Sequence, residues 1–430
     1  MTPAILLCTV GGSPEPVVSA LRTSRPRRVV FLATEDLPQR RQKGSADQVP
    51  GILAAAGAPP DGHEVVIVPP DDPDAAFAAA RAVLERMGKG PTVVDYTGGT
   101  KSMSAGLLQA ALGRPGVRVQ IMAGERSGTD KVRAGTERPF ALRFDAIMAT
   151  RDLERAAALW GDFAYAAAAE VLAPWLAEDD GRVDDLPAPL ARRLRRTHAF
   201  SRAFDAWDRF DHAGALRGFK AVDDEPPTLA PYLPALARLA ANAGRTTGHG
   251  RSERWLPPVD PLLPLDLWRN AERRAQQGRY DDAVARCYRL VEATVQWVLW
   301  TERRIDTGAA TRAQLGDDLF ERLNRGRNAE TLKLGFEHAT DVVRELLPDH
   351  WLGRLFGRKG AATAAFKRML EWKEARNQSI LAHGFRPLGP GLWEEAVAPS
   401  LRTDLVPRLE AAAREQGLTL PQLPRELPGL

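Results

Sequence analysis

Short apolar runs recur through the first third of the chain, at residues 5–10, 29–33, 65–68, 92–96 and 117–123. The runs are mostly continuous rather than alternating, the pattern of strands buried on both faces. Glycine or proline follows four of them: Gly11-Gly12, Pro69-Pro70, Gly98-Gly99 and Gly124. Between them lie stretches with helical spacing, clearest at residues 75–87 and 102–112. Strands alternating with helices predict an α/β domain over residues 1–148, its mostly parallel sheet covered on both sides. Residues 140–144 suit a last edge strand.

From about Ala149 the pattern becomes helical throughout, rich in Ala, Leu and Arg. Residues 149–264 read as a helical linker region, and residues 265–430 as a C-terminal all-α domain. Helices are expected at 268–277, 281–301, 332–346 and 363–381. Two segments look alike: one runs from Ala206 through Phe210-Asp211, the other from Arg274 through Tyr280-Asp281. Each sets an aromatic-Asp turn before a helix, a helix-hairpin signal, but two loose copies do not make a solenoid. The Gly- and Pro-rich stretch 246–264 reads as a loop and boundary. The end, with Pro421, Pro424 and Pro428, reads as a loose tail.

The chain has 430 residues, 44% of them hydrophobic and 27% charged, an ordinary composition for a folded protein of two or three domains. No apolar run reaches the ~18 residues of a membrane span. The N-terminus has no basic region before its first strand-like run, so a cytoplasmic protein without a signal peptide is expected. The two cysteines, Cys8 and Cys287, exclude a disulfide framework and a cysteine-based zinc site. A net charge of +4, spread along the chain, suits phosphate contact but does not require it.

Candidate chemistry gathers in two places. Asp95-Tyr96-Thr97-Gly98-Gly99-Thr100-Lys101-Ser102 joins a strand to a helix. Ligands of an open parallel sheet bind at such carboxyl ends. Gly98 and Gly99 permit a tight turn and close approach, Thr100 and Ser102 can cap the helix, and its free N–H groups favour phosphate. The first strand ends similarly, in Thr9-Val10-Gly11-Gly12-Ser13-Pro14. Two such loops on one sheet edge would form one floor for a nucleotide. Neither loop carries a Walker A or a Gly-x-Gly-x-x-Gly fingerprint, which disfavours ATP hydrolysis and hydride transfer. The same glycines also suit a plain strand-to-helix turn, and Asp95 suits shaping it.

The second place is Arg376-Asn377 followed by His383-Gly384. On one continuous helix Arg376 and His383 share a face but stand roughly 10 Å apart along the axis. They would meet one atom only if the helix bends near its end, or if a second copy supplies its own pair. Cleavage of RNA by its own 2′-hydroxyl needs a proton acceptor, a proton donor and positive charge on the phosphate. Histidine can do either proton job, and arginine presents a fixed fork to phosphate. Asn377 can orient Arg376, His383 or ribose. No HExxH, paired acidic or Cys/His spacing lies nearby, so no metal or other cofactor is expected. A histidine near a helix end also suits a simple dipole role.

The loop around Gly98-Gly99 and the turn at Gly11-Gly12 resemble the two ligand loops of CARF domains, the Rossmann-like sensors of CRISPR-associated proteins. Arg376-Asn377-x5-His383 resembles the motif of HEPN ribonucleases, and residues 281–292 resemble a HEPN helix. CARF followed by HEPN is the order found in ribonucleases of type III CRISPR systems. The resemblance implies a homodimer activated by cyclic oligoadenylate, tetra-adenylate before hexa-adenylate, which cuts single-stranded RNA without a metal. It implies ligand contacts from Thr9, Gly11, Gly12, Ser13, Thr97, Gly98, Gly99, Thr100 and Lys101, and catalysis by Arg376, Asn377 and His383. Two alternatives stay open: a sensor or scaffold without nuclease activity, and a CARF domain that also degrades its own ligand. The other histidines, among them His198, His212 and His350, are scattered and read as surface or loop residues. Arg325, Arg327, Arg354, Arg358 and Lys359 are second-choice RNA contacts, and Arg192, Arg193, Arg195 and Arg196 suit a solvated face.

Overall fold

The computed structural model describes all residues except 1–4, 37–42, 58–61, 89, 115, 126–132, 134, 178–181, 223–226, 243–244, 248–253, 327 and 428–430. Arg327 and Pro428, singled out above, therefore lie outside the described residues. The chain divides into two compact units, Met1–Thr150 and Arg151–Leu430.

The first unit is the expected α/β sheet. In chain order it holds β1 (Ile5–Thr9), α1 (Glu15–Ser24), β2 (Arg28–Ala33), α2 (Val49–Ala56), β3 (His63–Ile67), α3 (Pro73–Arg86), β4 (Thr92–Asp95), α4 (Lys101–Ala111), β5 (Val117–Ala123) and β6 (Arg138–Leu142). The strand order is β3-β2-β1-β4-β5-β6. All neighbours are parallel except the β5–β6 edge. Successive residues of a strand face opposite sides, so β1 feeds two cores. Leu6 and Cys8 pack with Val17 and Leu21 of α1 and Ile52 of α2. Leu7 packs with Leu84 of α3 and Leu107 of α4. α1 starts at Glu15, where the sequence showed only a turn; Pro16 suits its first turn, because proline there loses no hydrogen bond.

The second unit is helical. α5 (Asp145–Gly161) begins before the unit boundary; α6 (Tyr165–Leu172), α7 (Ala188–Asp208), α8 (His212–Lys220) and α9 (Leu233–Asn242) follow. A short β7 (Thr246–Thr247) and β8 (Arg254–Trp255) pair antiparallel inside the stretch expected to be loop. Next come α10 (Leu262–Gln276) and α11 (Tyr280–Arg303), then β9 (Ala310–Thr311), α12 (Arg312–Leu315), α13 (Asp317–Asn324) and β10 (Thr331–Leu332). α14 (Phe336–Leu346), α15 (Trp351–Phe356), the ribbon of β11 (Gly357–Arg358) and β12 (Ala361–Ala362), and α16 (Ala364–Asn377) follow. α17 (Ala398–Asp404) and α18 (Val406–Glu415) close the order.

The two look-alike segments are indeed helix hairpins, α7–α8 and α10–α11. They are joined by a buried charge cluster. Asp208, at the end of α7, accepts from Arg273 Nε at 2.7 Å and Asn270 Nδ2 at 2.9 Å, and pairs with Arg274. His212 is buried against Asp266 at 2.7 Å, not on the surface as its scattered position suggested.

Two further expectations change. The helix expected from 332 starts at Phe336, because Thr331 and Leu332 pair with Thr311 and Ala310 instead. The expected loose tail is anchored up to its last described residues. Leu420 and Leu423 are buried. Gln422 accepts from Arg273 at 2.6 Å and donates to the Arg269 carbonyl at 2.9 Å, and the Tyr165 hydroxyl donates to the Pro424 carbonyl at 2.7 Å.

Candidate functional site

β1 and β4 are neighbours, so their glycine loops lie side by side at the carboxyl edge of the sheet. The packing is backbone to backbone. A Cβ on Gly11 would stand 2.6 Å from the Gly99 nitrogen, and one on Gly98 would stand 2.5 Å from the Thr9 carbonyl oxygen. Gly99 has φ +79°, a conformation side chains rarely adopt. These glycines are therefore needed for the two loops to meet.

Among the expected ligand residues, the threonines hold the loops together. Thr9 is fully buried and its hydroxyl donates to the Gly98 carbonyl at 2.6 Å. The Thr97 hydroxyl donates to Asp95 at 2.6 Å and accepts from the Met122 N–H at 2.6 Å. Thr100 caps α4, accepting from the Met103 N–H at 3.2 Å, and donates to the Pro70 carbonyl. Asp95 shapes the turn, accepting from the Thr97 N–H and from Gln120. Burial raises its carboxyl above the usual range, against the pull of those hydrogen bonds. The exposed members of the edge are Gly12, Ser13 and Lys101, with Gly11, Gly98 and Gly99 half-buried between them. Gln48 was not foreseen: its amide donates to the Gly11 carbonyl at 3.0 Å and pins the first loop.

The second site differs from its expected geometry. The helix predicted over 363–381 ends at Asn377. The Ser379 N–H turns back to the Arg376 carbonyl at 3.0 Å, and the Arg386 N–H reaches the Gln378 carbonyl at 3.1 Å. The returning strand passes so close that a Cβ on Gly384 would stand 2.0 Å from the Gln378 oxygen. Gly384 thus permits a fold-back rather than ending a longer helix. The consequence is chemical. The His383 N–H donates to the Asn377 carbonyl at 3.1 Å, so His383 returns to the helix end instead of standing two turns beyond it.

Arg376 is half-buried and His383 exposed. The Arg376 guanidinium lies 4.7 Å from the centre of the Tyr288 ring, on α11. Its contact with Asn377 Oδ1 is long, 3.4 Å, and its Nε is buried with no partner among the described residues. Tyr288 stacks on Phe336, over which Lys373 sits at 5.3 Å while pairing with Glu337 at 2.7 Å. Burial, then Glu292 close by, pushes the Tyr288 hydroxyl up to about 12, so it stays protonated near neutral pH. Two cations thus rest on an aromatic shelf. Around the fold-back, Ile380 (57%), Leu381 (46%) and Phe385 (88%) are large apolar residues left exposed.

Sequence reasoning missed Tyr288, Phe336 and Lys373. Tyr288 lies in the stretch that resembled a HEPN helix, but nothing in the string linked it to Arg376. Of the second-choice RNA contacts, Arg325, Arg354, Arg358 and Lys359 are exposed, with Lys359 3.7 Å from Asp341.

A mostly parallel sheet with paired glycine loops, followed by helices that carry Arg376 and His383 at one helix end, has the architecture of the CARF–HEPN proteins. The family model of the Csm6 HEPN domain matches residues 258–400, which include Tyr288, Arg376, Asn377 and His383. The chain is 26% identical to the CRISPR system endoribonuclease Csm6 of Thermus thermophilus, over 94% of this chain and 86% of that protein. The structure of Enterococcus italicus Csm6 bound to cyclic hexa-2′-fluoro-hexa-dAMP shares the fold. Its TM-score is 0.53 at 13% identity, over 96% of this chain and 94% of that one. The chain is thus similar to Csm6, and residues 258–400 resemble its HEPN domain.

Proposed function

We propose that the protein is a ribonuclease of CRISPR defence, switched on by cyclic oligoadenylate at residues 1–148 and cutting single-stranded RNA at residues 265–430. The carrying observation is the fold-back that brings His383 to the end of α16 beside Arg376 and Asn377. The exposed apolar residues 380, 381 and 385 on the same fold-back suit a second copy of the chain. Two Arg–His pairs would then flank one phosphodiester.

In that arrangement one His383 takes the proton of the 2′-hydroxyl. The 2′-oxygen bonds to phosphorus as the bond to the 5′-oxygen breaks, and the partner's His383 protonates the leaving oxygen. The products are a 2′,3′-cyclic phosphate and a 5′-hydroxyl. Arg376 neutralises charge gathering on the phosphate. The nucleophile belongs to the substrate, so no metal is required to generate one. At the sheet edge, the backbone of Gly11–Ser13 and Gly98-Gly99 and the Lys101 charge would hold the ring. A ligand activates only if it binds the active arrangement more tightly.

The test incubates the full chain with single-stranded RNA in EDTA, with and without cyclic tetra-adenylate or cyclic hexa-adenylate. Cleavage that needs one of the rings, and falls about 100-fold or more in His383→Ala, is expected. Intact RNA with both rings, or equal cleavage by the variant, overturns the proposal.

A further inference from the structure

The second unit contains a cavity of about 460 Å³ that the nuclease reading does not use. That size is usual for small-ligand clefts, which span roughly 300–1,000 Å³. Its two sides differ in chemistry. One is apolar: Leu239, Leu256, Pro257, Pro258, Val259 and Leu263. The other carries Arg289 and Gln296 of α11 with Thr307, Gly308 and Lys333, while Arg245 joins from beyond α9.

The charges are unevenly spent. The lining carboxylates are engaged inside the protein. Asp260 accepts from Arg238 at 2.9 Å, Asn242 at 2.7 Å and the Leu262 N–H at 3.1 Å. Asp306 accepts from the Gly308 N–H at 2.8 Å. The cations are less committed. Lys333 is exposed and forms no ion pair with a described carboxylate. Among the described residues, the Arg245 side chain makes one long bond, 3.4 Å, to the Pro257 carbonyl. Arg289 is shared between Glu292 at 3.3 Å and Gln296 at 3.1 Å. The cavity therefore presents positive charge to an entering group. His212 also lines it. Its Nε2 is held by the buried Asp266, itself bonded by Trp207 at 3.2 Å, so Nδ1 is the ring atom left to offer.

We propose that this cavity binds a nucleotide. The flat aromatic base lies on the Pro257–Pro258 wall, and the phosphate meets Lys333, Arg245 and Arg289. Thr307, Gln296 and His212 supply the hydrogen bonds that sugar and base edges need. The ligand is a free mononucleotide or one unit of an RNA strand; both present the same chemistry. None of Arg376, Asn377 and His383 lines the cavity, so the proposal does not depend on the nuclease reading.

The experiment uses the full chain carrying His383→Ala, so that no strand is cut, and titrates 5′-AMP and adenosine by calorimetry. AMP is expected to bind, and adenosine to bind about tenfold or more weakly, the size of one lost charge-assisted hydrogen bond. Lys333→Glu, which reverses the charge, and Val259→Trp, which fills the apolar side, should each weaken AMP about tenfold or more. In a second arm, an uncleavable deoxy-oligonucleotide that displaces AMP assigns the site to a strand, and one that does not assigns it to a free nucleotide. No AMP binding, or binding indifferent to both substitutions, overturns the proposal.

Discussion

Among the described residues, Arg376 is held by a ring rather than by a carboxylate. A carboxylate partner would neutralise the charge that a phosphate needs, whereas the face of Tyr288, 4.7 Å away, orients the guanidinium and leaves its charge in place. Tyr288→Ala should therefore slow single-turnover RNA cleavage by about 3- to 30-fold, the range of a cation–π contact. Tyr288→Phe should keep most of the rate, since the ring remains. Equal loss in both variants would mean that the hydroxyl, through Glu292, matters instead. Arg376, Asn377 and His383 could be singled out as candidates in the sequence because they sit close together in it and have the residue types that RNA cleavage needs. Tyr288 was not, because only the packing of α11 against α16 brings it under Arg376. At the sheet edge, Gly11, Gly98 and Gly99 were legible as close-approach residues. The hydroxyls of Thr9, Thr97 and Thr100 looked available for a ligand, because a string does not reveal which oxygens the fold has already engaged.

Among the elements, strands were easier to foresee than helix ends. Five apolar runs became β1 to β5 with shifts of a residue or two; β1, β2 and β4 are buried on both faces, whereas β3 and β5 keep exposed or half-buried polar positions and were legible from their apolar residues and the turns after them. α16 ended at Asn377 rather than 381 because a returning segment competes for the Gln378 carbonyl, a tertiary event invisible to helical spacing. The C-terminal segment looked loose from its prolines, yet Gln422 is tied to Arg273 and Arg269. That anchor joins the charge cluster at Asp208, where two guanidinium groups and Asn270 converge on one buried carboxylate. Removing the carboxylate's charge leaves both arginines uncompensated. Asp208→Asn should cost about 3–5 kcal/mol of stability in denaturant unfolding, as breaking a buried pair does. A cost below about 1 kcal/mol would mean that solvent reaches those arginines in the folded state.

For the whole molecule, the proposed nuclease requires that two chains meet at their fold-backs. The exposed edge of Ile380, Leu381 and Phe385 supports that meeting. It can be tested with a thiol. Cys8 and Cys287 are both buried, and burial pushes their thiols well above the usual range, so neither competes for a surface reagent. The most direct measurement is therefore cross-linking of the Phe385→Cys chain by a short bis-maleimide, read on a denaturing gel. A covalent dimer that forms at low protein concentration is the expected result. Monomer alone, in a sample whose introduced thiol reacts fully with a mono-maleimide, would contradict a shared catalytic edge.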